Sequence, residues 1–365
     1  MFFIRQAQPA DLGTLLKMAR MVYFINLPPD KDVIAGKIRM SQASFAAARG
    51  ASIEENGRAP MASLSKGAAG DSPSFMFVLE DSTTGNPIGT SAVIAEMGRP
   101  GNPNLWFQLR KREFFSQDLQ QGQTHVTAQL VLEENGPTEI GGLILAPSYR
   151  GHKQRLGKQL SLIRFHYIGL HREEFKDRLL AEMMAPITPD GRNTLWEFLG
   201  RRFINLDYTE ADRFCAHSRE FMTSLLPREE IYLTLLPPEA RALIGRVGPD
   251  TVPARLMLER LGFEYRDRID PFDGGPHLEA KTDEVSIVAQ TRKSEFAGVC
   301  QAAQAKRMGF VSCEGGSGNA EFRALQTAYG EKDDGSVLLP RSAVKTLGVD
   351  EGMIVGVTPL DGKGG

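Results

Sequence analysis

Residues 138–165, TEIGGLILAPSYRGHKQRLGKQLSLIRF, constrain the fold of this chain more than any other stretch. Leu143, Ile144 and Leu145 form an apolar β-type run that stops at Pro147. A basic, glycine-containing turn follows, with Arg150, Gly151, His152, Lys153, Gln154, Arg155 and Gly157. Leu156, Leu160, Ile163 and Tyr167 then recur at helical spacing. The order is strand, basic turn, helix. A helix start presents unpaired backbone N–H groups and the positive end of its dipole, so it suits an anion such as a pyrophosphate. The same order also describes an ordinary strand-to-helix turn with solvated charges, because one glycine-bearing turn is a weak signal.

The stretch sits in a chain long enough to bury a substantial core. Its 365 residues predict two or three domains that fold without staples. Charged residues make up 24% and the formal net charge is −2, so no global field favours nucleic acid. Cys215, Cys300 and Cys313 are far apart and lack metal-ligand spacing, which predicts reduced thiols, no disulfide framework and no metal site. The N-terminus shows no cleavable signal pattern, and no apolar stretch is long enough to span a bilayer. A cytoplasmic protein without membrane contact is expected.

The segments before the basic turn read as β then α, followed by strands. A strand is expected over 2–5, a helix over 7–20 and a second helix from Asp30 or Lys31. Between the helices, MVYFINLPP is either buried packing or the wall of an acceptor pocket. Residues 50–73 lack any core-building period and read as a mobile surface insertion within 49–74. Runs at 75–80 and 87–96 flank a Thr-Gly-Asn turn and predict a hairpin, and 106–113 and 125–132 add strands. An antiparallel meander thus leads into the central strand.

After the turn and its helix, 178–184 reads as a buried strand, 193–199 as a helix, 203–208 as a further strand and 210–225 as a helix. A helix over 251–261 has Pro253 early and Gly262 at its end, and a strand over 263–270 follows. From Leu278 onward the texture changes to short apolar runs, SIVAQ, GFVSC, SVLLP and MIVGV, with a helical turn over 341–347. Residues 1–280 are expected to form one region and 281–365 a small β-rich C-terminal domain whose last residues, 361–365, fray.

Acyl transfer from a thioester to an amine needs a pyrophosphate site, a polarised carbonyl and a proton acceptor. Backbone N–H groups over 153–158, with charge from Arg150, Lys153 and Arg155, would serve the pyrophosphate. The edge of strand 141–145 would hydrogen bond the pantetheine arm and the carbonyl. PSYRGHKQRLGKQL and ARLMLERLGFEY resemble the acyl-CoA turn and a later helix-strand element of the GCN5-related N-acetyltransferase (GNAT) superfamily. The turn is slightly longer than the usual form, with Gly151 and Gly157 where two closely spaced glycines are expected. A closer resemblance, over most of the chain, is to the arginine N-succinyltransferase family. It rests on IRQAQPADL, FVLEDSTTG, WEFLGRRFINLDYTEADRF, LIGRVGPDTVPAR and, most specifically, GFEYRDRIDPFDGGPHLEA.

That resemblance implies an α+β, GNAT-like fold with a mixed, largely antiparallel sheet flanked by helices. It also implies succinyl-CoA as donor co-substrate with no tightly bound cofactor, and arginine or ornithine as acceptor. The family's acyl-CoA contact falls on Leu143, and Gly157 belongs to the donor turn. The family's catalytic histidine is absent from LPREEIY, where Glu229 is the nearest replacement as base or else a solvated helix-start residue. Tyr232 could protonate the leaving thiolate. Glu182 could orient an amine or guanidinium, Arg201 and Arg202 could meet a succinyl carboxylate, and Asp273 lies in the distinctive run as a substrate contact. His152, His217 and His277 are further candidates, although a lone histidine is more often structural. The bulky MVYFINLPP replaces the family's glycine-rich loop. Three readings follow: succinyl transfer to arginine or ornithine, transfer to a different amine, or a silent CoA-binding subunit of a hetero-oligomer. A homodimer or a paralogous partner subunit is the corresponding expectation for assembly.

Overall fold

Strand β1 (Phe2–Gln6) is buried on both faces, and it carries Arg5 into the interior only because that guanidinium is paired. Arg5 donates to both oxygens of Asp11 at 2.7 and 2.8 Å and to Glu80 at 2.6 Å. The computed structural model describes residues 1–21, 27–50, 72–188, 190–215, 218–315 and 321–360. Helices α1 (Leu12–Ala19) and α2 (Lys31–Ala48) follow, the second capped by Asp30, whose carboxylate accepts from the N–H groups of Asp32 and Val33. Two hairpins come next, β2 (Ser74–Asp81) with β3 (Asn86–Ile94) and β4 (Asn104–Ser116) with β5 (Gln121–Glu133). Strand β6 (Thr138–Leu145), helix α3 (Leu156–Leu170) and strand β7 (Arg178–Glu182) then form a parallel crossover unit.

Five short helices run from α4 (Thr194–Phe198) and α5 (Gly200–Phe203) through α6 (Tyr208–Cys215) and α7 (Glu220–Leu225) to α8 (Pro238–Arg241), with β8 (Ile231–Tyr232) between the last two. Helix α9 (Val252–Arg260), β9 (Glu264–Ile269), β10 (Pro276–Lys281) and α10 (Ser286–Ala289) complete the first region. Its sheet order is β1-β2-β3-β6-β7-β10-β9-β4-β5-β8, antiparallel except at β6–β7.

Helix α3 covers one face of this sheet and α1 with the first part of α2 covers the other. On the α3 side, Tyr167 stands within 5.5 Å, centroid to centroid, of Phe45, Phe75, Phe77 and Phe322. On the opposite side, Met76, Val78 and Ile144 pack with Leu15, Ile34 and Ile38. Gly89 lets α3 approach, since a Cβ there would stand 2.8 Å from both Leu160 Cδ2 and the Ile144 carbonyl. Strand β1 is too short to reach the first residues of β2. The hydroxyls of Ser44 and Ser41 accept from the N–H groups of Ser74 and Met76 instead.

The remaining strands are β11 (Arg292–Val299), β12 (Arg307–Cys313), β13 (Arg323–Glu331), β14 (Val337–Leu339) and β15 (Ile354–Pro359), with α11 (Arg341–Leu347) ending at Gly348 in the left-handed region. Their pairings run β12-β15-β11-β14-β13 and back to β12, closing a small barrel around Val311, Tyr329, Leu339 and Val357. Closure leaves few free edges. The barrel joins the main sheet where β13 pairs with β1, Ile4 opposite Ala324.

Several segments differ from the sequence expectation. Residues 203–208 are not a strand, because Ile204 is drawn into the core beside Trp196, whose Nε1 donates to the Leu206 carbonyl. Residues 286–289 form α10 instead of a strand and pack on α3 at Gly169, where a Cβ would stand 2.5 Å from Thr291 Cβ. The helix expected over 210–225 is two helices, α6 and α7. The hairpin β4–β5 does not lie between β3 and β6, which pair directly; it crosses to β9 at the far side. Most of the expected insertion (51–71), most of the apolar loop (22–26), His217 and the C-terminal end (361–365) lie outside the described residues. No helix among the described residues is long and apolar enough to cross a membrane.

His166 on α3 ties the barrel to the main sheet. Its Nδ1 lies 2.6 Å from Thr358 Oγ1, its Nε2 lies 2.7 Å from Ser312 Oγ, and Thr291 Oγ1 lies 2.6 Å from Thr358 Oγ1. Burial pushes the His166 pKa down to about 3, with His171 adding to the fall. An unfolded histidine takes up its proton near pH ~6.5, so this contribution to stability is complete above that pH and is lost as pH falls towards 3. Urea unfolding of wild type and His166→Gln should therefore diverge with acidity. The stability difference between them shrinks by about 2 kcal/mol from pH 7 to pH 5, and a constant difference would show that the ring is not held neutral.

Candidate active site

The parallel strands β6 and β7 meet only at Thr138 opposite Leu179 and Glu139 opposite Leu180, then separate. The cause is a bulge in β6. Its register with β3 shifts between Thr90, opposite Ile144, and Ala92, opposite Gly141, so β6 carries an extra residue there. Gly142 adopts φ +60°, a left-handed conformation that costs glycine nothing. Leu143 consequently has no register partner on either neighbouring strand among the described residues. The open side of β6 becomes one wall of a wedge that points at the start of α3.

The chain leaves β6 through a 3₁₀ turn at Pro147–Tyr149 and enters α3 at Arg155, which is itself left-handed at φ +51°. The Arg155 carbonyl accepts from the N–H groups of Lys158 and Gln159 at 2.9 and 3.1 Å. The N–H groups of Leu156 and Gly157 take no partner among the described residues, as the first turn of a helix dictates. Gln159 Nε2 donates to the Gln154 carbonyl, and His152 Nδ1 accepts from the Gln154 N–H, so the turn is held from inside. Arg150, Lys153 and Arg155 are exposed around it. Partial burial, together with repulsion from Arg155 and Arg260, lowers the Lys158 pKa, which marks a place short of negative charge.

On the β7 side of the wedge, the last residue of β7 is Glu182 and its cross-strand partner on β10 is His277. His277 Nε2 lies 3.9 Å from Glu182 Oε1, and neither atom has a hydrogen-bond partner although both are buried. Ligand atoms of Glu182, Asp270 and His277 all lie within 4.8 Å of one another, so the three could share one cation, either a divalent ion or the ammonium of an amine. Burial pushes the Glu182 carboxyl up to about 7, with Arg219 pulling the other way and Asp270 adding to the rise. Burial lowers the His277 pKa. Beside them, a narrow cleft is lined by Leu27, Lys37, Met76, Glu139, Gly141 and Gly142, among others.

The 270–276 loop fixes this end of the site. Asp270 Oδ1 accepts from the N–H groups of Phe272 and Asp273. Asp273 accepts from Ala185 N–H at 2.9 Å and Gly275 N–H at 2.7 Å, while its own carbonyl accepts from Asn193 Nδ2. Asn193 Oδ1 in turn caps α4 by accepting from Trp196 N–H. Asp273, expected as a substrate contact, thus spends both carboxylate oxygens on locking the loop to the segment after β7.

The structure brings Leu143, Arg150, Lys153, Arg155 and Gly157 to the β6 side of the wedge and Glu182 to the β7 side. It does not bring the remaining expected residues there. Glu229 is exposed. Tyr232 is on β8, six strand positions from β6, where its ring packs near His125 and Phe114. Arg202 is exposed on α5, and its neighbour Arg201 pairs with Glu197. His152 shapes the turn against Phe2, with ring centroids 5.1 Å apart. Residues that sequence reasoning missed are Lys37, Glu139, Arg219 and Arg260. A signal existed for two of them: Glu139 interrupts an apolar strand, and Lys37 falls between the core-facing Ile34 and Ile38.

A family model described as the arginine N-succinyltransferase beta subunit matches residues 2–287. The arginine N-succinyltransferases of Salmonella paratyphi B and Salmonella typhimurium are each 32% identical to the chain over 297 residues, covering 80% of this chain and 80% of theirs. The structure is similar to that of arginine/ornithine succinyltransferase subunit AI from Pseudomonas aeruginosa, with a TM-score of 0.78, 27% identity and 99% of both chains covered.

Gly275 tests the role of the loop. A Cβ there would stand 1.9 Å from the Met183 carbonyl and 3.0 Å from Ala185 N, both backbone atoms that cannot rotate away. Gly275→Ala should cost on the order of 3 kcal/mol and lower the thermal midpoint by about 4 °C. An unchanged midpoint would show that the loop does not clamp the end of β7.

Proposed function

Because the chain belongs to the arginine N-succinyltransferase family, we propose that it moves the succinyl group of succinyl-CoA to the α-amino group of L-arginine, or of ornithine, on a GNAT-type fold. The observation that carries the reading is the wedge between β6 and β7. Its β6 side is basic and carries the free N–H groups of Leu156 and Gly157, and its β7 side holds a buried carboxylate with a pKa near neutrality. The pyrophosphate of the donor sits on the N–H groups of Leu156 and Gly157, with Arg150, Lys153 and Arg155 around it. The pantetheine arm follows the unpaired side of β6, and the Leu143 N–H faces the thioester carbonyl, where negative charge develops during attack.

The acceptor enters on the acidic β7 side. Its cationic groups meet Glu182 and Asp270, and Glu182 removes the proton from the α-ammonium. The neutral amine attacks the thioester carbon and the new C–N bond forms; as the C–S bond breaks, the second proton of that nitrogen passes to the departing sulfur and CoA leaves as the thiol. The attacking nitrogen supplies this proton itself, so the leaving group needs no dedicated acid. Glu182 therefore takes the proton-accepting role that Glu229 was expected to hold, and Tyr232 is not required. Cys215, Cys300 and Cys313 are free thiols, which suits a cytoplasmic setting.

Incubation of the protein with succinyl-CoA and arginine or ornithine, followed by free-thiol release, tests the reaction; no turnover with either acceptor overturns it. With Glu182 as base, kcat/KM falls about tenfold per pH unit below pH ~7. Glu182→Gln should lose that limb and lower kcat by roughly 10²- to 10³-fold. If Glu229→Gln abolishes turnover and Glu182→Gln does not, the proton acceptor has been misassigned.

A further inference from the structure

Helix α2 turns Ile34 and Ile38 into the core and, between them, carries Lys37 to the cleft beside the bulge. The lining there is largely apolar, with Leu27, Met76, Ala92 and Ile94, and it opens onto Gly141 and Gly142, next to the unpaired Leu143. Among the described residues, Lys37 makes no hydrogen bond and no ion pair within 4.0 Å. Its pKa is lowered by burial and by Arg219, with Glu139 alone opposing. An ammonium in such surroundings is costly unless an anion completes it. The cleft adjoins the bulge next to Leu143, so an acyl chain extending past the Leu143 N–H, or an amino acid held at Glu182, would direct a carboxylate towards Lys37. Both substrates of the proposed reaction bring a carboxylate.

We propose that Lys37 is the carboxylate-recognition residue of this site, a specificity determinant that holds either the distal carboxylate of the succinyl donor or the α-carboxylate of the acceptor. This rests on the succinyl-transfer reading. The shared chemistry is a carboxylate against a partly desolvated ammonium, and the two sources differ in which substrate loses selectivity when the charge is removed. A lysine serving only as counter-ion to Glu139 would affect charged and uncharged substrates alike.

The test compares wild type with Lys37→Met in the full chain, using succinyl-CoA against butyryl-CoA and arginine against agmatine, which lacks the carboxylate. If the donor carboxylate is held, Lys37→Met lowers kcat/KM for succinyl-CoA roughly 10- to 100-fold and leaves butyryl-CoA unchanged. If the acceptor carboxylate is held, the same loss separates arginine from agmatine. Equal effects on the charged and uncharged member of both pairs overturn the inference. Calorimetric titration with succinate and with arginine needs no turnover and keeps the two failures apart. A wild type that turns over no substrate defeats the succinyl-transfer reading, whereas wild type and Lys37→Met that bind both ligands equally defeat the role of Lys37. Lys37→Gln replaces the methionine variant if that chain does not fold, with the same expected and overturning results.

Discussion

The brief hydrogen-bonded contact between β6 and β7 governs the rest of the molecule. Two residues of each strand pair, and then the extra residue at Gly142–Leu143 bends β6 away from its neighbour. A parallel pair that continued would use the backbone groups of β6 for the sheet and leave none for a ligand. The early separation leaves that edge open inside the protein, which is tolerable only because a ligand or water can satisfy it. The crossover helix α3 then has to start at the wide end of the wedge, so its free N–H groups face the same opening. One bulge therefore sets the position of the strand edge, the basic turn and the helix start together.

The second organising feature is charge carried below the surface. Glu139 and His277 are 1% exposed, and Glu182, Asp270, Arg219 and Lys37 surround the same opening. A fold selected for stability alone would fill this space with apolar side chains, since buried ions recover their desolvation cost poorly. The molecule compensates around the cluster. Asp273 ties the 270–276 loop to Ala185, Asn193 ties that loop to α4, and Trp196 packs on Phe272 in a tilted arrangement with centroids 4.6 Å apart. The groups facing the cleft are thereby held in place by neighbours that do not face it. His277 Nε2, Glu182 Oε1 and Glu139 Oε2 at the opening are buried without a hydrogen-bond partner among the described residues.

Much of the local structure was legible in the sequence. The strand-turn-helix order of 138–165, the cap at Asp30 and the helix stop at Gly262 each follow from interactions within a few residues, and each is present. Segments whose conformation is decided by distant neighbours were not legible. The 203–208 run has the composition of a strand, yet Ile204 is worth more to the core beneath α4 than to a sheet edge. The 286–290 run packs as a helix because Gly169 on α3 leaves room for it. The hairpin β4–β5 read correctly as two strands, but its neighbours did not: it extends the sheet beyond β9, more than 100 residues away in the chain.

The same division holds for the site. The sequence by itself determined the basic turn, because Leu143, Arg150, Lys153, Arg155 and Gly157 are close together in the chain and their placement depends on a local strand-turn-helix order. Only the tertiary structure decided the buried charge cluster. Glu182, Asp270 and His277 come from three strand ends, Glu139 from a fourth strand, Lys37 from α2 and Arg219 from the cap before α7, so no spacing in the chain reports their meeting. Burial is what turns Glu182 from an ordinary carboxylate into one that titrates near neutrality, and burial is a property of the packed molecule. Glu229, close in sequence to where a base was expected, remains exposed for the same reason: nothing packs over it.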